Sequence, residues 1–218
     1  MPAPIRSLMS AAHGPVYRSR LRHLVRRIVP ALQPGDSVLD VGCGVGTLGK
    51  AIMDDPGCPE GVAVSGLERV ARGGEPIPVT AYDGVTFPMD DGSVDVVIIA
   101  DVLHHEEDPD RLLGECRRVA RRLVIVKDHQ RQGMLARPRI SFMDWAANAP
   151  YGVPCLYRYN TPEEWRAQFG RVGLAIAEEV SGMPLYPIIV DQVFGGSLQY
   201  MAFTRPDAQP GSGSERGA

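Results

Sequence analysis

Apolar residues along this chain fall into seven short runs, at residues 38–41, 61–68, 77–82, 94–100, 123–126, 174–180 and 197–204, separated for the most part by helical or turn-forming stretches. The fourth, Val94-Asp95-Val96-Val97-Ile98-Ile99-Ala100, is almost unbroken, as in a strand covered on both faces. Over residues 16–32, Leu21, Leu24, Val25, Ile28 and Leu32 recur at helical spacing between Arg18, Arg20, Arg22, Arg26 and Arg27, which predicts a basic amphipathic helix whose arginines face water. His13-Gly14-Pro15 is a turn signal before it, and residues 1–12 lack any period and are expected to form a loose arm. Further helices are predicted at 47–53, 108–119 and 161–172, the last opened by the capping pattern Thr161-Pro162-Glu163-Glu164. Strands alternating with helices imply βαβ units and a mostly parallel sheet, which binds ligands beyond the carboxyl ends of its strands. Between the second and third runs only residues 69–76 remain, too few for an ordinary crossover helix, so a turn is expected there, with Arg69 and Arg72 nearby.

The first run ends in an acid and passes through Asp40-Val41-Gly42-Cys43-Gly44-Val45-Gly46 into a helix. Glycines in such a strand–turn–helix allow positive φ and close approach of a ligand to the main chain. Gly44 to Gly49 also fits the dinucleotide pattern G-x-G-x-x-G, with Glu68 at the distance expected of a ribose-binding acid. A nicotinamide-dependent oxidoreductase is therefore an alternative. Asp40 weighs against it, because a carboxylate beside a pyrophosphate repels it, whereas a ligand with a cationic end is attracted. Asp40, Glu68, Asp83, Asp101, Asp128 and His129 all fall at strand ends and predict one shared crevice.

At 218 residues the chain suits one domain, expected to span 1–204, with the Pro-, Gly- and Ser-rich residues 205–218 as a disordered tail. A net charge of −3 and a pI near 6.0 give no general attraction to nucleic acid. No run approaches the roughly 18 apolar residues of a membrane span, and with no leader pattern a cytoplasmic location is expected. Cys43, Cys58, Cys116 and Cys155 lack metal or disulfide spacing, and no histidine–carboxylate set shows clear metal spacing either. Residues 130–160 carry little periodicity but many aromatic residues, and an insertion of that length is expected to act as a lid or substrate cap. Trp145, Tyr151, Tyr157 and Tyr159 are its candidate substrate-binding residues; Trp165 is as well explained by helix packing.

Several motifs in order, the glycine loop, Tyr82-Asp83-Gly84, Phe87-Pro88, Asp95-Val96-Val97 and Val102-Leu103-His104-His105, resemble those of the class I S-adenosylmethionine-dependent methyltransferases, notably the group acting in ubiquinone and menaquinone biosynthesis. The resemblance covers residues 38–129. It implies an α/β Rossmann-like fold, a seven-stranded sheet parallel but for its last strand, with helices on both faces and the lid after the fifth strand. It also implies S-adenosylmethionine as cofactor, with S-adenosylhomocysteine as product. The loop residues Gly42, Cys43, Gly44 and Gly46 would lie against the methionine part with Asp40 near its amino group. Glu68 would accept the ribose hydroxyls, Asp83 and Gly84 would take the adenine, and Asp101 would border the same site. The expected reaction is methyl transfer to an oxygen or nitrogen of a small molecule, whichever it is, with no nucleic-acid partner and a homodimer left open. A general base, if one is used, would be His129 or His104, with Asp128 as orienter. A non-catalytic protein retaining the cofactor fold is the remaining alternative.

Overall fold

The computed structural model describes residues 3–70, 73–148 and 155–207. Its elements are α1 (Ala3–Ile28), β1 (Ser37–Val41), α2 (Thr47–Met53), β2 (Ala63–Glu68), β3 (Val79–Ala81), β4 (Val94–Ala100), α3 (Pro109–Val119), β5 (Ala120–His129), α4 (Ala136–Asn148), α5 (Pro162–Arg171), β6 (Leu174–Ser181), α6 (Ile188–Phe194) and β7 (Gln199–Pro206). The seven strands form one sheet in the order β3-β2-β1-β4-β5-β7-β6. β1 pairs in parallel with both β2 and β4, and β5 with β4, while β7 runs antiparallel between β5 and β6. The chain leaves β1 in one direction for β2 and β3, then returns across it to β4. The crevice beyond β1 and β4 is thus the topological switch point of the sheet.

Alternation along the strands divides the core in two. Leu39, Val41, Val97, Ile99, Val124 and Val126 face α3 and α5 through Leu112, Leu113, Cys116, Trp165 and Phe169. Val38, Val96, Ile98, Leu123 and Ile125 face α1 and α2 through Leu24, Val25, Ile28, Leu48 and Ile52. Helices therefore cover both faces, which is why β4 is apolar nearly throughout. The α5 capping box forms as predicted, with the Thr161 side chain accepting from Glu164 N–H and the Glu164 carboxylate accepting from Thr161 N–H.

Three expectations are corrected. The loose arm and the turn at Pro15 are one continuous helix in the described chain; proline removes one internal hydrogen bond, and the flanking turns of α1 continue through that gap. The lid contains α4 and the apolar link after β6 contains α6, both with a weak periodic signal because their apolar residues are not gathered on one buried stripe. Arg20, expected on a solvated face, is turned toward the strand tips. The short β2–β3 connection has no helix among its described residues; Arg72 lies outside them.

Candidate functional site

The glycine loop sits at the mouth of the switch point. Gly42 and Gly46 have φ of 68° and 73°, where β-carbons are strained, and a Cβ on Gly42 would come within 2.5 Å of Val102 Cγ2. Gly44 N–H donates to Glu68 Oε2 at 2.8 Å, and Arg69 N–H to Glu68 Oε1 at 2.8 Å, so the acid ending β2 braces the loop ahead of α2. Cys43 fills the space above Gly66, where a Cβ would meet its sulfur. Asp40 is buried, and its Oδ2 has no hydrogen-bond partner among the described residues. Burial raises its pKa to about 7; the nearby Arg20 opposes this and Glu68 adds to it. A buried carboxylate oxygen without a donor, beside a glycine loop at a helix entrance, suits a ligand bearing a cationic group.

Asp101, one residue past β4, has a φ of 57°, unusual for a residue other than glycine. Its carboxylate holds that geometry through two cations. Arg20 Nε and Nη2 donate to Oδ2 at 2.9 and 2.5 Å, and Lys127 Nζ donates to Oδ1 at 2.5 Å. Burial opposes the charge on Asp101, but Lys127 and Arg20 hold its pKa well below the ordinary carboxylate value. Burial in turn lowers the pKa of Lys127, against the pull of Asp101.

The histidines separate into different environments. His104 Nδ1 lies 2.6 Å from Asp128 Oδ1, and its Nε2 lies 3.7 Å from Asp144 Oδ1. Burial disfavours its charge, yet Asp128 and Asp144 overcome this and raise its pKa to about 10. His129 is driven down to about 3 by burial, with Lys127 adding to the effect and Asp101 opposing it; its Nδ1 has no hydrogen-bond partner among the described residues. The side chain of Asp128, expected to orient a histidine base, lies against His104, and it also accepts from the His129 backbone N–H. The His104 and His129 rings lie beside one another, with centroids 5.0 Å apart. Asp144 on α4 completes the cluster, with Oδ2 accepting from the Tyr159 hydroxyl at 2.6 Å and Oδ1 lying 3.9 Å from His105 Nε2.

The remaining candidates are more dispersed. Asp83 is exposed, and its Oδ1 accepts from Val85 and Thr86 N–H, which lower its pKa. Gly84 is covered by the Arg69 side chain, whose guanidinium pairs with Glu106 at 2.6 Å. Trp145 and Tyr157 line a cleft of about 400 Å³ with Arg137, Ser141 and Phe142. Tyr159 is buried against Asp144 instead of lining that cleft, and Tyr151 lies outside the described residues. Trp165 is packed, stacked on Tyr200 and donating to the His129 carbonyl. Arg20, Lys127 and Asp144 were missed by sequence reasoning. A lysine directly after the apolar run Leu123-Val124-Ile125-Val126 was the one available signal; the other two depend on contacts across 81 and 40 residues.

A seven-stranded sheet of this order, with a glycine loop and an acid at its switch point, defines the fold of the class I S-adenosylmethionine-dependent methyltransferases. The protein-family model described as a methyltransferase domain matches residues 16–179. The chain belongs to that methyltransferase family. Among solved structures, a chain of the Haloferax volcanii complex between the Trm112 methyltransferase activator and a methyltransferase matches with a TM-score of 0.66 at 17% identity, covering 95% of this chain and 96% of that one. An S-adenosylmethionine-dependent methyltransferase of Aquifex aeolicus matches at 0.58 and 18%, covering 92% and 98%. One from Thermotoga maritima matches at 0.63 and 17%, covering 88% and 89%. An uncharacterised 37.1 kDa protein of transposon TN4556 from Streptomyces fradiae is 40% identical in a 98-residue alignment that covers 41% of this chain and 28% of that protein. No helix among the described residues is long and apolar enough to cross a membrane.

Proposed function

We propose that this domain transfers the methyl group of S-adenosylmethionine to an oxygen or nitrogen of a small-molecule acceptor. The observation that carries the reading is the buried, partnerless Oδ2 of Asp40 beside the glycine loop. When bound, the cofactor supplies a methyl group already activated on a sulfonium. Asp40 would receive the ammonium of its methionine part, and Arg20, which acts electrostatically on Asp40 and pairs with Asp101, would offer positive charge to the carboxylate. Gly42, Cys43, Gly44 and Gly46 would give close main-chain approach. Glu68 retains lone pairs beyond those used by Gly44 and Arg69 and would accept from ribose hydroxyls. Asp83 and Gly84 would take the adenine, which requires Arg69 to move aside or stack. Asp101 would act indirectly, by fixing Arg20 and Lys127.

Methyl transfer depends mainly on alignment and exclusion of water, so the residues needed are those that seat the acceptor. Trp145 and Tyr157, with Arg137 beside them, offer aromatic faces and one cation to a planar acceptor carrying an acidic group. Of the two imidazoles, His129 is neutral, but burial lowers its pKa to about 3 and makes it a weak proton acceptor, so it would accept a hydrogen bond from the acceptor without taking the proton fully. His104 is held as an imidazolium by Asp128 and Asp144 and would position its surroundings. Calorimetric titration with S-adenosylhomocysteine tests the cofactor half of the reading. Expected are saturable binding by the full chain and loss of at least tenfold in affinity for Asp40→Asn and Glu68→Ala; equal affinity in all three proteins would overturn the assignment.

A further inference from the structure

We propose that His104, His105 and Asp144 form a binding site for a divalent transition metal, fastening the lid helix α4 to the turn after β4. Their ligand atoms all lie within 4.8 Å of one another. His104 Nε2 and His105 Nε2 are 3.7 and 3.9 Å from Asp144 Oδ1, and the three side chains are 4%, 19% and 0% exposed. Donors around a tetrahedral zinc sit about 3.3 Å apart, given bonds of about 2.0–2.1 Å, so closure shortens the two histidine–aspartate separations by about 0.4 and 0.6 Å and draws the two imidazole nitrogens together by up to about 1.5 Å.

The surroundings are organised as a metal site requires. The second nitrogen of His104 faces Asp128 Oδ1 at 2.6 Å, a carboxylate–imidazole pair that aims Nε2 at the centre; a metal bound there displaces the Nε2 proton that His104 carries in the metal-free chain. Tyr159 donates to Asp144 Oδ2 at 2.6 Å, and Oδ1 lies 3.7 and 3.9 Å from the two histidine nitrogens. Asp128 also accepts the backbone N–H groups of His104 and His129, so the outer shell is itself anchored to the sheet. Two imidazoles and one carboxylate favour zinc, cobalt, nickel or ferrous iron over magnesium or calcium, which prefer oxygen donors. Three protein ligands leave one corner of a tetrahedron for water or an acceptor heteroatom. The inference does not depend on the cofactor assignment, since none of the three ligands belongs to the glycine loop.

The full chain, stripped with chelator, is titrated with zinc and with cobalt chloride, and cobalt binding is read from its visible ligand-field bands. One equivalent is expected, with affinity reduced at least tenfold in His105→Gln and in Asp144→Asn, and unchanged in His23→Gln, a control on α1. Amide exchange in α4 is expected to slow when metal is added to the wild-type chain and not in Asp144→Asn. Circular dichroism identifies any variant that fails to fold, and the partly exposed His105 gives the milder substitution. Absence of a stoichiometric site, or equal affinity in His105→Gln, Asp144→Asn and wild type, overturns the proposal. S-adenosylhomocysteine titrations on the same samples separate its failure from failure of the cofactor site.

Discussion

Arg20 and Asp101, 81 residues apart, meet in a forked ion pair, with Nε and Nη2 at 2.9 and 2.5 Å from the same carboxylate oxygen. The pair ties α1 to the tip of β4, and the other oxygen of Asp101 holds Lys127, whose side chain is 1% exposed. Because a buried charge deprived of its partner is more costly than the absence of both, Asp101→Ala is expected to destabilise the fold by about 3–5 kcal/mol. Arg20→Ala leaves the Lys127 pair and should cost less. Converting both Asp101 and Lys127 to Asn and Met is expected to recover much of the loss. Urea unfolding of the three variants checks the order; a double variant as unstable as Asp101→Ala would contradict it.

Asp40 gives a pH dependence of definite sign. Its folded pKa of about 7 lies above its ordinary value, so the folded state binds the extra proton between about pH 4 and 7 and stability falls as pH rises through that window. A shift of about three units corresponds to about 4 kcal/mol as an upper bound. Asp40→Asn is therefore expected to be more stable than wild type at pH 8, with the difference vanishing near pH 4, while binding S-adenosylhomocysteine poorly. Affinity of the wild type for that ligand should itself decline as pH falls below about 7. Melting curves at several pH values, read beside the titrations, test both halves.

The glycine loop predicts a partial rescue. Gly42→Ala combines an unfavourable positive φ with a contact at 2.5 Å to Val102 Cγ2. A loss of about 1–3 kcal/mol is expected from the strained backbone alone, with more from the clash. Adding Val102→Ala should remove the clash and leave the strain, returning part of the stability. Complete rescue would show that the backbone conformation carries no cost.

The two tryptophans should behave as opposites. Trp165, 3% exposed, stacks parallel to Tyr200 with ring centroids 5.6 Å apart and donates to the His129 carbonyl, so Trp165→Ala should cost about 3–5 kcal/mol in stability. Trp145 is 44% exposed on α4, so Trp145→Ala should leave the melting temperature within about 2 °C of wild type, as expected of exposed positions. If the cleft seats the acceptor, the same variant raises the acceptor KM without changing affinity for S-adenosylhomocysteine. An unchanged KM would remove Trp145 from that role.

While the antiparallel last strand and the cover on both faces followed from the family resemblance, the repeated apolar runs, the glycine loop and the acids at run ends were enough to determine a mostly parallel sheet alternating with helices and a crevice at its strand ends. Each is a local pattern: residues 94–100 must be buried on both faces, and the glycines are needed by the backbone itself. What they could not determine was how the charged groups pair. Arg20 reads like its neighbouring arginines, yet one turn of α1 points it at Asp101; Asp128 reads as an orienter for either His129 or His104, and only the fold gives its side chain to His104. Asp144 resembled any acid in an aperiodic insertion until α4 carried it to the two histidines. Hydrophobic periodicity is written along the chain, whereas the strength of an ion pair or ligand set depends on distances between segments and on burial, which exist only after the chain has folded.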